Sequence, residues 1–408
     1  MRRPRDNPLP MTSTKPLANW SPLLTTLSIQ ALVSMAVLTP PVMAPVLAQA
    51  LGVSAAYLGL YIAIVYAGAM LASLAAGAAV TRFGAIRVSQ AGLLLCAAGL
   101  LLCTIPSVGT FALGGFLIGL GYGPITPASS WLLALTTPAH RMSLVFSVKQ
   151  TGVPLGGMLA GALVPSVMLV AGWQGALAVV AAANVVCALL SQPLRNALDA
   201  DREPGRPLRL GNLAQPIRMV LSQRSLATLA ACSFVFSTAQ LVLTGYLVTY
   251  LSQVLAYGLV AAGLALSVAQ IGGVGGRILW GYISDGWLGA HRTLAALAFV
   301  TATSSLATSL LHQSMPTLLV FAILFVFGAS ATGWNGVYLA EVARRAPPGM
   351  AGIATGGSLA ITFLGVVLGP PVFGALSGAF GSYRVGYAAL AIPVAVCGFV
   401  LFRSRPAK

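Results

Sequence analysis

The chain alternates long apolar runs with short polar gaps. Twelve runs can be drawn, at about 22–48, 55–79, 86–105, 108–135, 142–170, 173–192, 224–251, 258–284, 292–312, 315–342, 350–379 and 383–402. Each reaches the ~20 residues that carry an α-helix across a hydrocarbon core of roughly 30 Å. Pro and Gly recur inside several runs, which membrane helices tolerate when neighbours satisfy the freed backbone groups. The pattern predicts an all-α membrane protein of twelve transmembrane helices. The longest polar stretch, 193–223, follows the sixth run and holds three of the six acids. It is read as a linker between an N-terminal six-helix half at 22–192 and a C-terminal half at 224–402, with tails at 1–21 and 403–408.

The two halves repeat. Gly156 in GVPLGGMLAGALVP precedes Gly365 in ITFLGVVLGPPVFG by 209 residues, Gly119 precedes Gly328 by the same interval, and Thr137-Pro138 answers Ala346-Pro347. A shared spacing over two spans points to duplicated halves, a frequent way of building transporters.

Composition fits a bilayer. The chain is 58% hydrophobic and 7% charged, where soluble domains carry about 25% charged residues. Its net charge of +16 is not spread at random: 19 of the 22 Lys and Arg fall in the tails, the linker and the gaps on their side of the membrane. Arg384 alone falls in a gap on the other side, and Lys149 and Arg277 lie within runs. This asymmetry places both termini in the cytoplasm, as in a bacterial inner-membrane protein. It also argues against nucleic acid as a partner, because no basic helix or aromatic–basic patch is present.

The five cysteines make no C-x-x-C pair and the three histidines have no ligand-like spacing, so neither a metal nor another cofactor is expected. The opening MRRPRDNPLPMTSTKPLANW has no compact apolar core with a cleavage site; it is read as a cytoplasmic tail. The cluster GGVGGR at 272–277 lies inside an apolar run, where its glycines suit close helix packing better than a nucleotide loop. No enzyme constellation is visible.

Two gaps carry a motif. One reads Gly77-AAV-Thr81-Arg82-Phe83-Gly84-AI-Arg87, the other Gly281-YIS-Asp285-GWL-Gly289-AH-Arg292. Both resemble the G-x-x-x-D-R-x-G-x-[RK] loop of the major facilitator superfamily. The resemblance extends to the twelve spans, the central linker and the duplicated halves, and implies that family's fold. It also implies a gate on the cytoplasmic rim, built here from Gly77, Thr81, Arg82, Gly84, Arg87, Gly281, Asp285, Glu341 and Arg344. Thr81 departs from the motif's Asp, which shifts the expected lock toward Asp285, Glu341, Arg344 and Arg82.

No carboxylate lies near the centre of any span. Arg277 and Lys149 are each about eight residues in from the rim, roughly 12 Å deep at 1.5 Å per residue. A cation in hydrocarbon costs at least about 2.5–3.5 kcal/mol, and Arg keeps its proton. A bound anion is one candidate counter-charge, with Arg offering a fork matched to a carboxylate. Snorkelling, backbone carbonyls, Glu341 from another helix for Arg277, or loss of the proton for Lys149 are the alternatives. In the superfamily's fold the fifth and eighth spans are neighbours, which implies that both cations face one cleft.

Further resemblances bear on substrate. Arg277-ILW-Gly281-YIS-Asp285 resembles the eighth span of monocarboxylate and oxalate/formate transporters. SVKQTGVPLGG together with GWNGVYLAEVARRAPPG resembles the cyanate and nitroimidazole transporter-like branch. These imply a secondary transporter of a small anion working by alternating access. Arg277 and Lys149 would bind its charge, Gln270 stands seven residues from Arg277 on the same helix face, and Tyr246, Asn335, Trp334, Tyr61 and Tyr122 would shape the pocket. A coupling proton or counter-anion and a functional monomer complete the expectation. A proton-coupled multidrug exporter and a transporter-like receptor are the alternative readings.

Overall fold

The computed structural model describes residues 20–53, 57–205, 214–257 and 259–403. Most of the basic N-terminal tail, residues 206–213 of the linker and residues 404–408 lie outside them.

The described residues form seventeen α-helices and no strand. In the N-terminal half these are α1 (Ser21–Val42), α2 (Ala44–Leu51), α3 (Tyr57–Phe83), α4 (Ala85–Leu102), α5 (Val108–Tyr122), α6 (Ile125–Thr136), α7 (Met142–Gln150) and α8 (Gly152–Leu190). The linker contributes α9 (Arg195–Leu198) and α10 (Gln215–Ser222). The C-terminal half holds α11 (Arg224–Val254), α12 (Leu259–Ile283), α13 (Ala290–Ser309), α14 (Thr317–Ala331), α15 (Trp334–Arg345), α16 (Ala351–Ala379) and α17 (Tyr383–Arg403).

These elements resolve into twelve crossings. Three spans are broken: α5 and α6 part at Gly123–Pro124, α7 and α8 at Thr151, and α14 and α15 at Thr332–Gly333. The 39-residue α8 bends back at Gly172, whose φ of 71° and ψ of 175° end one span and start the next. A positive φ of this kind is open to glycine at little cost. Ten helix runs are long and apolar enough to cross a membrane by themselves, one of them the continuous run that Gly172 divides. The remaining crossing is α13, whose Ser- and Thr-rich sequence bonds inward: Ser305 donates to the Tyr387 carbonyl at 2.7 Å, and the Tyr250 hydroxyl donates to that of Thr308 at 2.6 Å.

The duplication is visible in the element boundaries. Helices α5 and α6 begin and end 209 residues before α14 and α15, and α7 begins 209 before α16. Glycines with positive φ also recur in both halves: Gly172 and Gly381 at the opposite turns keep the 209-residue interval, and Gly84 and Gly289 hold corresponding places in the motif loops. One apolar core of the N-terminal half is built around Ile29, Val65, Leu93, Ile118 and Val180; a larger one, around Leu229, Leu247, Leu294, Leu324 and Val394, reaches across the joint to Ala69, Met142 and Phe146; and a small one joins Val80, Ile86 and Leu132.

The linker is not an extended loop. Pro216 and Val220, one helical turn apart on α10, are buried against Gly357 of α16. Asp199 receives the Ile86 and Arg87 amides at 2.8 and 3.1 Å, which caps α4. Burial pushes its carboxyl above the ordinary aspartate range, against the opposing pull of those amides.

Candidate functional site

The two halves join chiefly where α3 meets α16, α7 meets α12 and α15, and α6 meets α16. Helices α6 and α7 are the linker-side pieces of their spans, so the joint lies on that side. Glycine makes the approach possible. A Cβ on Gly336 would lie 2.2 Å from Ser147 Cα, and one on Gly281 would lie 2.6 Å from Ser147 Oγ. Similarly, a Cβ on Gly156 would lie 2.2 Å from the Ala31 carbonyl, which seats α8 on α1.

Lys149 and Arg277 are brought together at this joint. Both are buried, at 1% and 3% exposure. The Lys149 ammonium donates to Gln30 Oε1 at 2.7 Å, to Gln150 Oε1 at 3.0 Å and to Thr126 Oγ1 at 3.4 Å. Arg277 Nε donates to the Thr332 carbonyl at 2.9 Å, and Nη1 donates to the Gln150 carbonyl. Gln150 therefore bridges the two cations, its side chain taking Lys149 and its backbone taking Arg277.

The helix breaks explain why these oxygens are available. Pro154 has no N–H, so the Gln150 carbonyl four residues earlier lacks its helical donor. Thr332 stands at the interruption between α14 and α15, where carbonyls of a helix end face outward. Carbonyls left this way in membrane helices are common sites for polar ligands and ions. Arg277 thus bonds backbone carbonyls, one of the alternatives open at the level of sequence. Glu341 does not reach it: that carboxylate is engaged by Arg345 at 2.5 Å, His291 at 3.3 Å and Arg344 at 3.6 Å. Among the described residues neither buried cation has an acidic partner.

The other expected site residues divide. Asn335 donates to Gln240 Oε1 at 3.0 Å and lies 3.5 Å from the Thr332 carbonyl, so it shares an acceptor with Arg277. Tyr122 borders the cluster, with its hydroxyl beside Ser34 and Gln30 and within electrostatic range of Arg277. With Tyr66 and Phe363 it forms an aromatic group across the two halves, with centroids 5.5–6.4 Å apart. Trp334 is buried between Phe236 and Tyr338 one residue before Asn335. Gln270 is exposed, two turns of α12 from Arg277. Tyr246 donates to the Pro370 carbonyl at 3.0 Å, and Tyr61 packs on Phe111 in the N-terminal core. Gln150, Thr126 and Thr332 enter the cluster without having been singled out in the sequence. The signal for Gln150 was present in its place four residues before Pro154.

The rim residues are distributed unevenly. Asp285 lies on a single widened turn, Ser284–Leu288, that extends α12. It receives the Leu144 and Ser143 amides at 2.7 and 3.1 Å and Arg344 Nη2 at 2.9 Å. Arg344 also donates to Ser143 Oγ at 3.0 Å and to the Ala139 carbonyl at 3.2 Å. One half thus caps a helix of the other. In the first loop Thr81 donates to its own helix at the Gly77 carbonyl, 3.0 Å away, and a Cβ on Gly77 would run into Ile353 of α16. Arg82 lies over the Phe83 ring and Arg87 donates to Gln90 at 3.3 Å. At Gly84, with φ 92°, a Cβ would collide with Asp199.

Comparison with known proteins agrees with this architecture. The chain is 28% identical over 329 residues to monocarboxylate transporter 11 of Mus musculus, covering 75% of this chain and 69% of the relative. It is 24% identical over 320 residues to the benzoate transport protein of Acinetobacter baylyi, covering 71% and 67%. The fold matches that of the transporter FucP in its outward conformation, with a TM-score of 0.77 over 94% of this chain and 99% of that one, at 18% identity. The profile of the Major Facilitator Superfamily matches residues 26–363, and the chain belongs to that superfamily of transporters.

Proposed function

We propose that this transporter carries a small carboxylate by alternating access, and that Arg277 and Lys149 supply the charge that binds it. One observation carries the reading: two buried cations, joined through Gln150, are met only by neutral oxygens. A monoanion between them supplies a counter-charge that no described side chain provides, where leaving charges unpaired is costly. Tyr66, Tyr122 and Phe363 stand beside the cluster and offer ring faces, which suits an aromatic carboxylate. The benzoate transport protein and monocarboxylate transporter 11 among the relatives support the same class.

The two halves, 22–192 and 224–402, rock about this cluster with 193–223 as a cytoplasmic linker. Both termini are cytoplasmic in a bacterial inner membrane and the monomer suffices. The halves meet on the linker side here, which is one end state of that cycle. Without an acid beside the cations, coupling runs through anion exchange or a proton carried on the substrate.

The test is counterflow in proteoliposomes with radiolabelled benzoate, lactate and a lipophilic cation. Arg277→Met and Lys149→Met should each raise the benzoate KM strongly, since losing one partner of a buried charged contact costs about 2–5 kcal/mol, or roughly thirty- to several-thousandfold. Wild-type kinetics in both variants, or saturable transport of the cation alone, would overturn the reading in favour of an exporter.

A further inference from the structure

The linker-side end of the seam between α11 and α17 opens into a cavity of about 550 Å³. It is lined by Arg224, His291, Arg345 and Arg403, with Ser225 and Thr228. Four helix ends converge there: Arg224 opens α11, His291 lies in the first turn of α13, Arg345 closes α15 and Arg403 closes α17. Among the described residues no acid lines the cavity. The nearest, Glu341, is already engaged by Arg345 and Arg344. His291 is only 5% exposed, with both ring nitrogens enclosed by the protein. Its Nε2 lies 3.3 Å from Glu341, the carboxylate that Arg345 and Arg344 also hold. Arg224 and Arg403, from two helix ends, thus border a space whose other arginine, Arg345, is already held by Glu341.

The cavity does not end at the rim. Thr228 and Val400 border it and also begin an apolar groove of about 480 Å³ lined by Ala231, Cys232, Val235, Pro393, Val396 and Cys397. Val396, at 54% exposed, shows that the groove faces the surroundings of the bundle and not its centre. From Arg403 to Pro393 is ten residues of α17, about 15 Å, half of the roughly 30 Å hydrocarbon core. The seam is therefore a basic, water-edge cavity continuous with an apolar groove one leaflet deep.

We propose that this seam binds one anionic glycerophospholipid of the linker-side leaflet, with its phosphate between Arg224 and Arg403 and one acyl chain along the groove. Charge complementarity selects the headgroup, as basic pockets between membrane helices do. The apolar continuation selects a lipid over a soluble phosphate, and its length matches a single leaflet. The site shares no residue with the Arg277–Lys149 cluster, so it stands or falls apart from the transport reading.

Native mass spectrometry of the full-length protein tests it, with phosphatidylglycerol and phosphatidylcholine offered at equal concentration and with inorganic phosphate in a parallel thermal-shift series. The wild type should retain phosphatidylglycerol in preference to phosphatidylcholine. Arg224→Gln/Arg403→Gln should weaken that retention about thirtyfold, the loss of two basic contacts at roughly 1 kcal/mol each. Val396→Trp, a change at an exposed position, should obstruct the groove and weaken phosphatidylglycerol retention with the arginines intact. Equal retention of the two lipids by the wild type, or unchanged retention in both variants, overturns the proposal. Stabilisation by inorganic phosphate equal to that by phosphatidylglycerol also overturns it, in favour of a soluble-anion site.

Discussion

Replacing Asp285 by Asn should open the linker side, and the structure sets the size of the effect. Asp285 holds two backbone amides of α7 and the Arg344 guanidinium. Asn keeps the volume and one acceptor oxygen, but its amide group faces a donor where the carboxylate faced one before. A charge-assisted hydrogen bond worth about 1.5–3 kcal/mol falls to a neutral one of about 0.5–1.5, and one donor is left unmet at roughly 1–3 kcal/mol. Arg344 is partly exposed, so its ion pair adds no more than about 1 kcal/mol. Together the closed joint loses about 2–4 kcal/mol relative to the open one, a thirty- to several-hundredfold shift in the equilibrium. Hydrogen–deuterium exchange reads it directly, because the capped amides belong to Ser143 and Leu144. Exchange across 142–146 should quicken in Asp285→Asn. The α4 amides of Ile86 and Arg87, capped by Asp199 within one half, are the internal control and should not change. Unchanged exchange at 142–146, or an equal rise at both caps, would refute the reasoning, the second because it reports a general loss of stability.

Four other substitutions test neighbouring parts of the structure. Thr81→Asp places a carboxylate at the motif position opposite Asp285. It should favour the closed joint by about 0.3–1 kcal/mol at the start of α16, seen as slower counterflow with substrate affinity retained. Gly336→Ala sets a Cβ 2.2 Å from Ser147 Cα and should cost about 1–3 kcal/mol by overpacking, measured as a lower Tm and weaker uptake. Gly378→Ala, where a Cβ meets nothing within 4 Å, should leave both unchanged. Pro154→Ala returns an N–H to the Gln150 carbonyl. Pro154 lies in the first turn of α8, where proline costs little, so Tm should hardly change, while the carboxylate KM rises severalfold as Arg277 comes to share its acceptor; an unchanged KM would show that this carbonyl does not position the guanidinium.

What the sequence made legible follows from which forces are local. The spans could be drawn because each must be apolar over its own length, and the turn at Gly172 falls in the gap left between runs ending at 170 and starting at 173. The duplication could be seen because it repeats glycines whose spacing survives in the helix boundaries. The breaks inside spans were less accessible: hydropathy is indifferent to whether α14 and α15 are one helix or two, and 315–342 reads as a single run. The linker hid two helices because α10 buries only Pro216 and Val220, too short a stripe to register beside a membrane span. At the candidate site the difficulty is one of pairing. A missing N–H at Pro154 is written in the chain, but its consequence is satisfied by an arginine 127 residues from Gln150, and no periodicity reports that distance. The shared-face argument for Gln270 fails to bring it to the cluster for the opposite reason: helix phase is local, while the neighbour that covers Arg277 is α7, whose polar Lys149–Gln150 pair ends one helix piece short of Gln270's level. The charged inventory, by contrast, needs no geometry. With six acids in the chain and none near a span's centre, the two buried cations had to be met by oxygen dipoles or by something that arrives, and the geometry supplies the dipoles without the compensating charge.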